Sequence, residues 1–244
     1  MKPMDVKSEH DFFLTQLKRH ARDTGRFNLA RYLGTDHIMY NVSVPKRREI
    51  VASWARSHKD VSKDNLVSLV DLLFSGESHE EKSQASMLLG CYERYLVALE
   101  ERRIDQWLEK LEGWAEVDSF CDEIDVWFRD DVAHRISMLT RWNKHAQIEK
   151  RRASLVVLCS SVRHDDRKMF ADLSFGFIDA RKAEKHVMIT KAISWLLRAL
   201  VKYHKADVAK YLKKNIATLP KIAVREVTGK LETGRKSGKS KRVL

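Results

Sequence analysis

The stretch EKHVMITKAISWLLRALVKY, residues 184–203, decides the fold class because its apolar residues recur every three or four positions. An α-helix makes about 3.6 residues per turn, so this spacing places them along one side of a helix. The side predicted to be buried consists of Met188, Ala192, Ile193, Leu196, Leu197 and Leu200. The same periodicity predicts further helices at residues 45–58, 65–74, 81–99, 114–128, 147–162 and 221–231. The pattern therefore predicts an all-α protein.

The composition supports a helical fold and excludes other classes. Nine glycines and three prolines occur among 244 residues, and residues 46–219 contain no proline. A β-sandwich or barrel of this length needs turn residues every ~8–12 positions, and the sequence lacks them. A compact α/β enzyme is disfavoured because its loops would be rich in glycine. Disorder over most of the chain is excluded because 43% of the residues are hydrophobic, enough for a sizeable core.

The spacing of the predicted helices indicates a single domain built from repeated helical pairs. Short connections and a loose spacing of roughly 35–40 residues favour an α-α superhelix of stacked antiparallel helical pairs, a HEAT-like solenoid, over residues 1–228. A plain helical bundle is the alternative, and periodicity alone does not separate the two. A solenoid would present a long concave basic face, wide enough for a duplex. Residues 229–244, rich in Gly, Ser, Lys and Arg, are predicted to form a basic, disordered C-terminal tail.

The charge balance favours an anionic partner. With 46 Lys and Arg against 34 Asp and Glu, the chain carries a net charge of +12 and has a pI near 9.6. Cys91, Cys121 and Cys159 lie far apart, so neither structural disulfides nor a cysteine zinc site is expected. No apolar run approaches the ~20 residues that cross a bilayer, and the N-terminus lacks a signal-peptide pattern. We therefore expect a soluble, cytoplasmic protein that makes no membrane contact.

Two predicted helices carry charged side chains away from their apolar faces. Helix 114–128 has a second stripe that consists of Trp114, Asp118, Asp122 and Asp125. Carboxylates in such a stripe ordinarily form a solvated face. On helix 147–162, Arg151 and Arg152 point away from the core, and a solvated pair is the ordinary interpretation of this helix taken alone.

Helix 184–203 places a tryptophan inside a basic stripe. The stripe consists of Lys191, Trp195, Arg198 and Lys202. An aromatic ring flanked by cations suits a nucleic-acid backbone, because the cations neutralise phosphates while the ring packs on sugar or base. The alternative is that Trp195 only widens the apolar face.

Four short segments occur in the order NLARYLG (28–34), GWAEVDSF (113–120), RRASLVVL (151–158) and TKAISWLLR (190–198), and VSVPKRREI (42–50) follows the first of them. In this order and spacing they resemble the AlkD family of bacterial DNA alkylation-repair glycosylases, whose fold is HEAT-like. The similarity spans roughly residues 10–231. It implies that the family's Trp-x-x-x-Asp signature falls on Trp114 and Asp118. The family's catalytic-face arginine falls on Arg152 and its second tryptophan on Trp195.

The resemblance implies a substrate and a reaction. The substrate is a purine alkylated at N3 or N7 in double-stranded DNA, and the reaction is hydrolysis of its N-glycosidic bond. Asp118 would stabilise the positive charge that develops on the deoxyribose. Trp114 and Trp195 would pack against that sugar, and Arg152 would hold a phosphate. The DNA contacts expected beyond these are Tyr32, Arg151, Lys191, Arg198 and Lys202.

The resemblance also implies how the reaction is run. The base need not be extruded into a deep pocket, so bulky adducts can be accepted. Hydrolysis without strand cleavage is expected because no lysine lies within a turn of Asp118 on its helix. Neither a metal nor an organic cofactor is implied, and we expect a monomer in the bacterial cytoplasm that associates with the nucleoid when bound to DNA. Asp122 and Asp125 add negative charge beside Asp118, which would repel phosphates unless these side chains face away.

Two other functions stay open at this point. One is a non-catalytic helical-repeat protein that binds damaged or branched DNA, and the presence of Asp118 favours the glycosylase over it. The other is a scaffold that binds a peptide on its concave face. Peptide binding would be insensitive to salt, whereas DNA binding weakens steeply as salt rises.

Overall fold

The computed structural model describes residues 4–23, 25 and 27–236, and the regular secondary structure of these residues is helical. Thirteen helices lie in this part of the chain: α1 (Val6–Arg19), α2 (Leu29–Leu33), α3 (Val44–Ser57), α4 (Lys63–Ser75), α5 (His79–Cys91), α6 (Glu93–Leu96), α7 (Glu101–Leu108), α8 (Gly113–Asp130), α9 (Val132–Asn143), α10 (Ile148–His164), α11 (Lys168–Arg181), α12 (Val187–Asn215) and α13 (Lys221–Thr233). Among the described residues the only β-type pairing is an isolated bridge between Ile38 and Ser78. The all-α prediction is confirmed.

Two compact units divide the chain, one over Met1–Val132 and the other over Ala133–Leu244. In the first unit α5 packs against α3, α4 and α8, and α1 packs against α4. In the second unit α12 packs against α10, α11 and α13. Each unit is therefore built from helices stacked on helices. The organisation of residues 1–228 as a single domain stays a prediction.

Large aromatic side chains fill the core of the first unit. Phe74 of α4 lies 5.3 Å from Trp107 and 5.5 Å from Phe120, measured between ring centroids, and all three side chains are buried. Trp127 is buried too, and its Nε1–H donates to the Leu99 carbonyl at 2.9 Å. Burial of side chains of this size is a dominant stabilising contribution. Phe120 and Trp127 thereby anchor α8, the helix that carries Trp114 and Asp118.

The second unit is organised around α10. Residues 152–162 of this helix are all buried, as in a helix that other elements surround. Its neighbour α12 buries Ile193, Leu196, Leu197 and Leu200, which are residues that the periodicity places inside.

Two of the predicted helices have different boundaries from those expected. The segment 81–99 is not one helix, because the backbone leaves helical geometry at Tyr92 (φ −128°, ψ 52°) between α5 and α6. The segment 184–203 begins later and ends later, since α12 runs to Asn215 across a non-helical residue at His204. Helices outside the periodic segments are α1, α2, α7, α9 and α11. None of the described helices combines the length and apolar character that crossing a bilayer requires.

Residues 229–233, which the sequence assigns to the tail, are helical. Helix α13 continues to Thr233 and ends where Gly234 adopts a left-handed conformation (φ 71°), which glycine reaches without a steric penalty. Lys236 lies 3.5 Å from the Glu226 carboxylate, so the chain folds back along α13 after this turn. The remainder of the predicted tail, residues 237–244, lies outside the described residues.

Candidate active site

Helix α8 brings together the two residues of the Trp-x-x-x-Asp signature. Trp114 and Asp118 lie one turn apart, and both side chains are half-buried. The neighbouring positions Val117, Phe120 and Ile124 are buried in the core of the first unit. The helix therefore presents an aromatic ring and a carboxylate at the margin of its buried face.

Tyr32 fixes the position of the Trp114 ring. The indole Nε1–H donates to the backbone carbonyl of Tyr32 at 2.8 Å, and the two rings meet edge to face with centroids 5.5 Å apart. Phe27 extends this contact, because its ring lies 5.8 Å from that of Tyr32. Phe27 and Tyr32 are 57% and 59% exposed, so the three rings form an accessible aromatic surface on the first unit. Tyr32 and Trp114, which the family resemblance singles out in two separate segments, are in contact.

Two glycines allow α2 to approach the first residue of α8. Gly113 has a φ of +68°, and a Cβ atom on it would lie 2.2 Å from the Leu33 carbonyl oxygen. Gly34 follows α2 with a φ of +76°, and its own Cβ would meet the Gly113 Cα at 3.6 Å. Only glycine tolerates this backbone conformation together with so close an approach. The glycines of NLARYLG and GWAEVDSF therefore set how Tyr32 meets Trp114.

A buried carboxylate that the sequence does not mark lies between the two signature residues. Glu116 is 1% exposed and accepts hydrogen bonds from His37 Nδ1 at 3.0 Å, His79 Nδ1 at 3.1 Å and the Glu112 backbone N–H at 2.8 Å. The Thr35 hydroxyl donates to it as well, at 3.2 Å. Burial by itself would raise the pKa of Glu116, but the hydrogen bonds from His37, His79 and the Glu112 N–H outweigh it and hold the pKa at about 2. Glu116 is therefore an ionised hydrogen-bond acceptor inside the first unit.

Arg47 determines which nitrogen of His79 carries the proton. The Arg47 guanidinium donates to His79 Nε2 at 3.2 Å, and arginine has no acceptor to offer in return. His79 Nε2 must then be the unprotonated nitrogen, so Nδ1 carries the hydrogen that points to Glu116. The sequence does not predict this network, because charged residues are ordinarily exposed. The one available signal was the capping box of Ser78 and Glu81 at the start of α5.

The other carboxylates of α8 do not lie together on one exposed face. Asp125 is 2% exposed and accepts a hydrogen bond from Arg129 Nε at 2.9 Å, whereas the pattern places it on the polar stripe. Asp122 is exposed. Burial and the negative charge of Asp122 raise the pKa of Glu123 to about 7, although Arg48 acts in the opposite direction. Asp125 thus faces the interior, and Asp122 is the exposed carboxylate one turn after Asp118.

In the second unit, α10 and α12 carry the remaining residues of the predicted catalytic set. Arg152 is 4% exposed, and its guanidinium donates to the Met188 carbonyl in the first turn of α12. Trp195 is half-buried, and the Arg163 guanidinium carbon lies 5.8 Å from its ring centroid. This distance falls within the range of a cation–π contact. Arg163, which the sequence did not single out, places a cation at Trp195.

The predicted DNA-binding cations of the second unit differ in how they are bonded. Arg151 pairs with Glu184 at 2.9 Å and donates to the His145 carbonyl, and Arg198 pairs with Glu226 at 3.4 Å. Lys202 is exposed and donates to the Arg163 carbonyl at 2.7 Å. Lys191 is exposed on the first half of α12. Within the described part of the chain, no group of three or more His, Cys, Asp and Glu side chains is arranged to hold a metal ion.

Comparisons with known proteins identify the family. A sequence profile of the family described as "DNA alkylation repair enzyme" matches residues 13–231. A solved structure, the predicted DNA alkylation repair enzyme from Enterococcus faecalis, has the same fold, with a TM-score of 0.70 over 84% of this chain and 93% of that one at 16% identity. No curated protein matches the chain. The profile covers most of both units, and the chain therefore belongs to the DNA alkylation repair enzyme family.

Proposed function

We propose that this protein is a monofunctional DNA glycosylase that hydrolyses the N-glycosidic bond of positively charged N3- or N7-alkylated purines in duplex DNA. Membership of the DNA alkylation repair enzyme family supports a role in repairing alkylated DNA. The observation that carries the finer proposal is the pairing of Trp114 with Asp118 one turn apart on α8, beside the exposed ring of Tyr32.

The chemistry needs a carboxylate more than any other group. Alkylation at N3 or N7 gives the purine a positive charge, so the base departs readily with the electron pair of the broken glycosidic bond. Positive charge then develops on the deoxyribose, and a fixed carboxylate stabilises it and orients the attacking water. Asp118 fills this role. Water forms the new bond to C1′ and gives up one proton, so the reaction requires no cofactor.

The aromatic and basic residues hold the DNA. Trp114 and Trp195 pack against deoxyribose, whose C–H groups become more positive during the reaction and are attracted by the ring faces. Arg152 holds a backbone phosphate, and Tyr32 adds contact area. Lys191, Arg198 and Lys202 supply sequence-independent attraction to phosphates. Of the predicted contacts, Arg151 and Arg152 have the weakest support. Glu184 and a backbone carbonyl engage the guanidinium of Arg151, and Arg152 is 4% exposed with its guanidinium donating to the Met188 carbonyl.

The proposed substrate is a duplex with the damaged base left in the stack. A base that stays in the stack does not have to fit an enclosing pocket, so bulky and cationic adducts are accepted along with methyl groups. The absence of a lysine within one turn of Asp118 favours hydrolysis that leaves the DNA strand intact. We propose that the protein acts as a monomer in the bacterial cytoplasm.

Base release from a duplex that contains N7-methylguanine tests the proposal. The wild type should release the base without strand cleavage, and Asp118→Asn should slow release by about 10²–10³-fold, the usual effect of removing one transition-state stabiliser. Duplex affinity should be unchanged or higher in Asp118→Asn, because a negative charge near phosphates is removed. Asp122→Asn is the matched control, since it removes an exposed carboxylate from the next turn of α8 and should leave release unchanged.

Two results would overturn the proposal. Undiminished release by Asp118→Asn would remove Asp118 from the chemistry. Release by none of the three proteins, with duplex binding intact, would favour the alternative, a non-catalytic helical-repeat protein that binds damaged or branched DNA.

A further inference from the structure

We propose that Glu116 is a positioning residue. Its buried carboxylate joins three segments of the first unit and thereby fixes the position of Tyr32 relative to Trp114. This inference rests on the proposed glycosylase function for the roles of Tyr32 and Trp114. Its geometric content is independent of that function and is tested separately below.

The first set of hydrogen bonds to this carboxylate comes from the segment that follows α2. Thr35 Oγ1 and His37 Nδ1 both donate to Glu116, at 3.2 Å and 3.0 Å. Tyr32 lies only three residues before Thr35, and the turn between them contains Gly34 in a left-handed conformation. Fixing residues 35–37 therefore fixes the end of α2 and the direction in which Tyr32 projects.

The second interaction of this carboxylate is a hydrogen bond with the backbone at the start of α8. Glu116 accepts the backbone N–H of Glu112 at 2.8 Å, a donor that the helix itself cannot satisfy. No side chain caps this helix through its N-cap residue, so the reach-back of Glu116 takes that place. Trp114 lies in the turn that this hydrogen bond closes. Glu112 strengthens the junction, because its side chain accepts the Asp36 backbone N–H at 2.9 Å.

The third interaction is a hydrogen bond that joins this carboxylate to α5. His79 donates to Glu116 from Nδ1, and Arg47 of α3 holds the imidazole in the tautomer that permits this. The backbone adds two bonds at the same place, from Ile38 N–H to the Glu77 carbonyl and from His79 N–H to the Ile38 carbonyl, both at 3.0 Å. The segment after α2 is thus held on α5 and α8 at once, with Glu116 at the centre.

A buried ion network is an inefficient way to stabilise a fold, because the desolvation of its charges offsets most of their attraction. The apolar contacts of Phe74, Trp107 and Phe120 already supply the first unit with a core. Hydrogen bonds with fixed directions supply something different, which is a single geometry for the groups that they connect. Here the connected groups carry Tyr32 and Trp114, and small displacements of such groups cost large factors in rate.

Glu80 provides a matched control for Glu116. It is also 1% exposed, lies in the first turn of α5, and accepts two backbone N–H groups, those of Tyr40 at 3.1 Å and Val42 at 3.2 Å. Its contacts are with the later segment 40–42 rather than with the end of α2 or the start of α8. Glu116→Gln and Glu80→Gln each remove one buried negative charge and retain side-chain size. Both variants are compared with the wild type well below their own melting temperatures, with circular dichroism confirming the fold.

Two measurements on the full-length proteins test the proposal. In single-turnover base release at saturating enzyme, Glu116→Gln should be at least about tenfold slower than wild type, and Glu80→Gln within about twofold, because only the former displaces reacting groups. Affinity for undamaged duplex should fall by at most a few-fold in Glu116→Gln, because Tyr32 and Trp114 supply part of the DNA contact, and should be unchanged in Glu80→Gln. Near-ultraviolet circular dichroism should show a contribution from Trp114. This contribution is the difference between the spectrum of a protein and the spectrum of the same protein with Trp114→Phe added. It should vanish in the Glu116→Gln background and persist in the Glu80→Gln background.

The outcomes separate the positioning role from the proposed function. A wild type that releases no base would overturn the glycosylase proposal, and the Trp114 spectrum would still decide the role of Glu116. Persistence of the Trp114 contribution in Glu116→Gln would overturn that role whatever the activity. Equal slowing in Glu116→Gln and Glu80→Gln would show that loss of stability, and not of this relative position, is responsible, and this result too would overturn it.

Discussion

Residues 1–132 contain 19 Lys and Arg against 25 Asp and Glu, whereas residues 133–244 contain 27 against 9. The first unit therefore carries a formal charge of −6 and the second a charge of +18. A polyanion is attracted by the second unit and repelled at long range by the first. The overall pI conceals this division. It places the proposed catalytic carboxylate in an acidic half of the chain and most of the proposed phosphate contacts in a basic half.

The interiors of the two units differ in how many charged side chains they bury. Among the residues that the structure describes, the first unit buries six charged side chains, Arg47, Glu80, Glu81, Lys82, Glu116 and Asp125. The second buries three, Lys150, Arg152 and Glu226, together with five serines on α10, α11 and α12. Buried ions respond to pH and need partners from other segments, whereas a buried serine hydroxyl does not titrate near neutral pH and can be satisfied by a carbonyl of its own helix, as Ser161 and Ser174 are. The comparison teaches that geometry in the first unit depends on specific charged partners, and that the second unit carries the chain's excess of positive charge.

The largest expected effect comes from a glycine of the first unit, and a glycine of the second unit serves as its control. Gly113→Ala should destabilise the first unit by about 3 kcal/mol or more, because a left-handed φ and a carbonyl 2.2 Å from the new Cβ must both be accommodated. Gly176→Ala in α11 is the control. Nothing lies within 4 Å of its Cβ position, so the change should be neutral or stabilising by up to about 1 kcal/mol. Urea unfolding of both variants measures this, and equal losses would contradict the account.

A pH-dependent effect of similar size is expected from Glu123. Its pKa in the folded protein is about 7, above the ordinary 4.5, so its contribution to stability is complete below pH 4.5 and is lost as pH rises through 7. Glu123→Gln should therefore gain stability relative to wild type on going from pH 4 to pH 8, by roughly 3 kcal/mol at most. Thermal unfolding at the two pH values measures the difference.

Asp179 in the second unit provides a comparison of opposite sign. Burial acts to raise its pKa, but hydrogen bonds from Lys182 and Tyr211 outweigh it and lower the pKa below the ordinary value. Its stabilising contribution is thus present at neutral pH and is lost as pH falls through the lowered pKa. Asp179→Asn should lower the melting temperature at pH 7 and have no effect in strong acid. The same direction of pH dependence for the Glu123 and Asp179 variants would contradict these assignments.

The smallest effects are expected on DNA binding. Lys191→Ala and Arg198→Ala should each weaken duplex affinity a few-fold and reduce the slope of log K against log salt by about 1, as expected for one lost phosphate contact. Lys59→Ala, an exposed lysine of the first unit, should change neither quantity. Titrations at several salt concentrations measure the slopes. A larger change for Lys59 than for Lys191 would contradict the division of charge between the units.

The sequence predicts some parts of this molecule well, for identifiable reasons. Helices α8 and α12 carry a repeated apolar face, so their existence and most of their buried apolar residues follow from periodicity. Helix α2 has five residues, too few to show a period, although it carries Tyr32. Asp125 was expected on a polar stripe, but Arg129 one turn later pairs with it and permits its burial.

The buried network was beyond sequence reasoning because its members are far apart along the chain. Glu116 binds His37 and Thr35, which lie about 80 residues earlier, and His79, which lies 37 residues earlier. A lone glutamate or histidine is ordinarily solvent-exposed, so nothing local marks these residues as partners. The resemblance to a known family supplied Tyr32, Trp114 and Asp118, and the contact between Tyr32 and Trp114 required the structure.

The most direct test measures base release and DNA binding side by side on one duplex that contains N7-methylguanine. Asp118→Asn in the first unit should lose release at saturating enzyme and keep its affinity. The double variant Lys191→Ala/Arg198→Ala in the second unit should lose affinity and salt dependence, and keep most of the release rate once saturated. Retained release in Asp118→Asn, or equal loss of the saturated rate in both variants, would contradict the assignment of chemistry to the first unit and phosphate binding to the second.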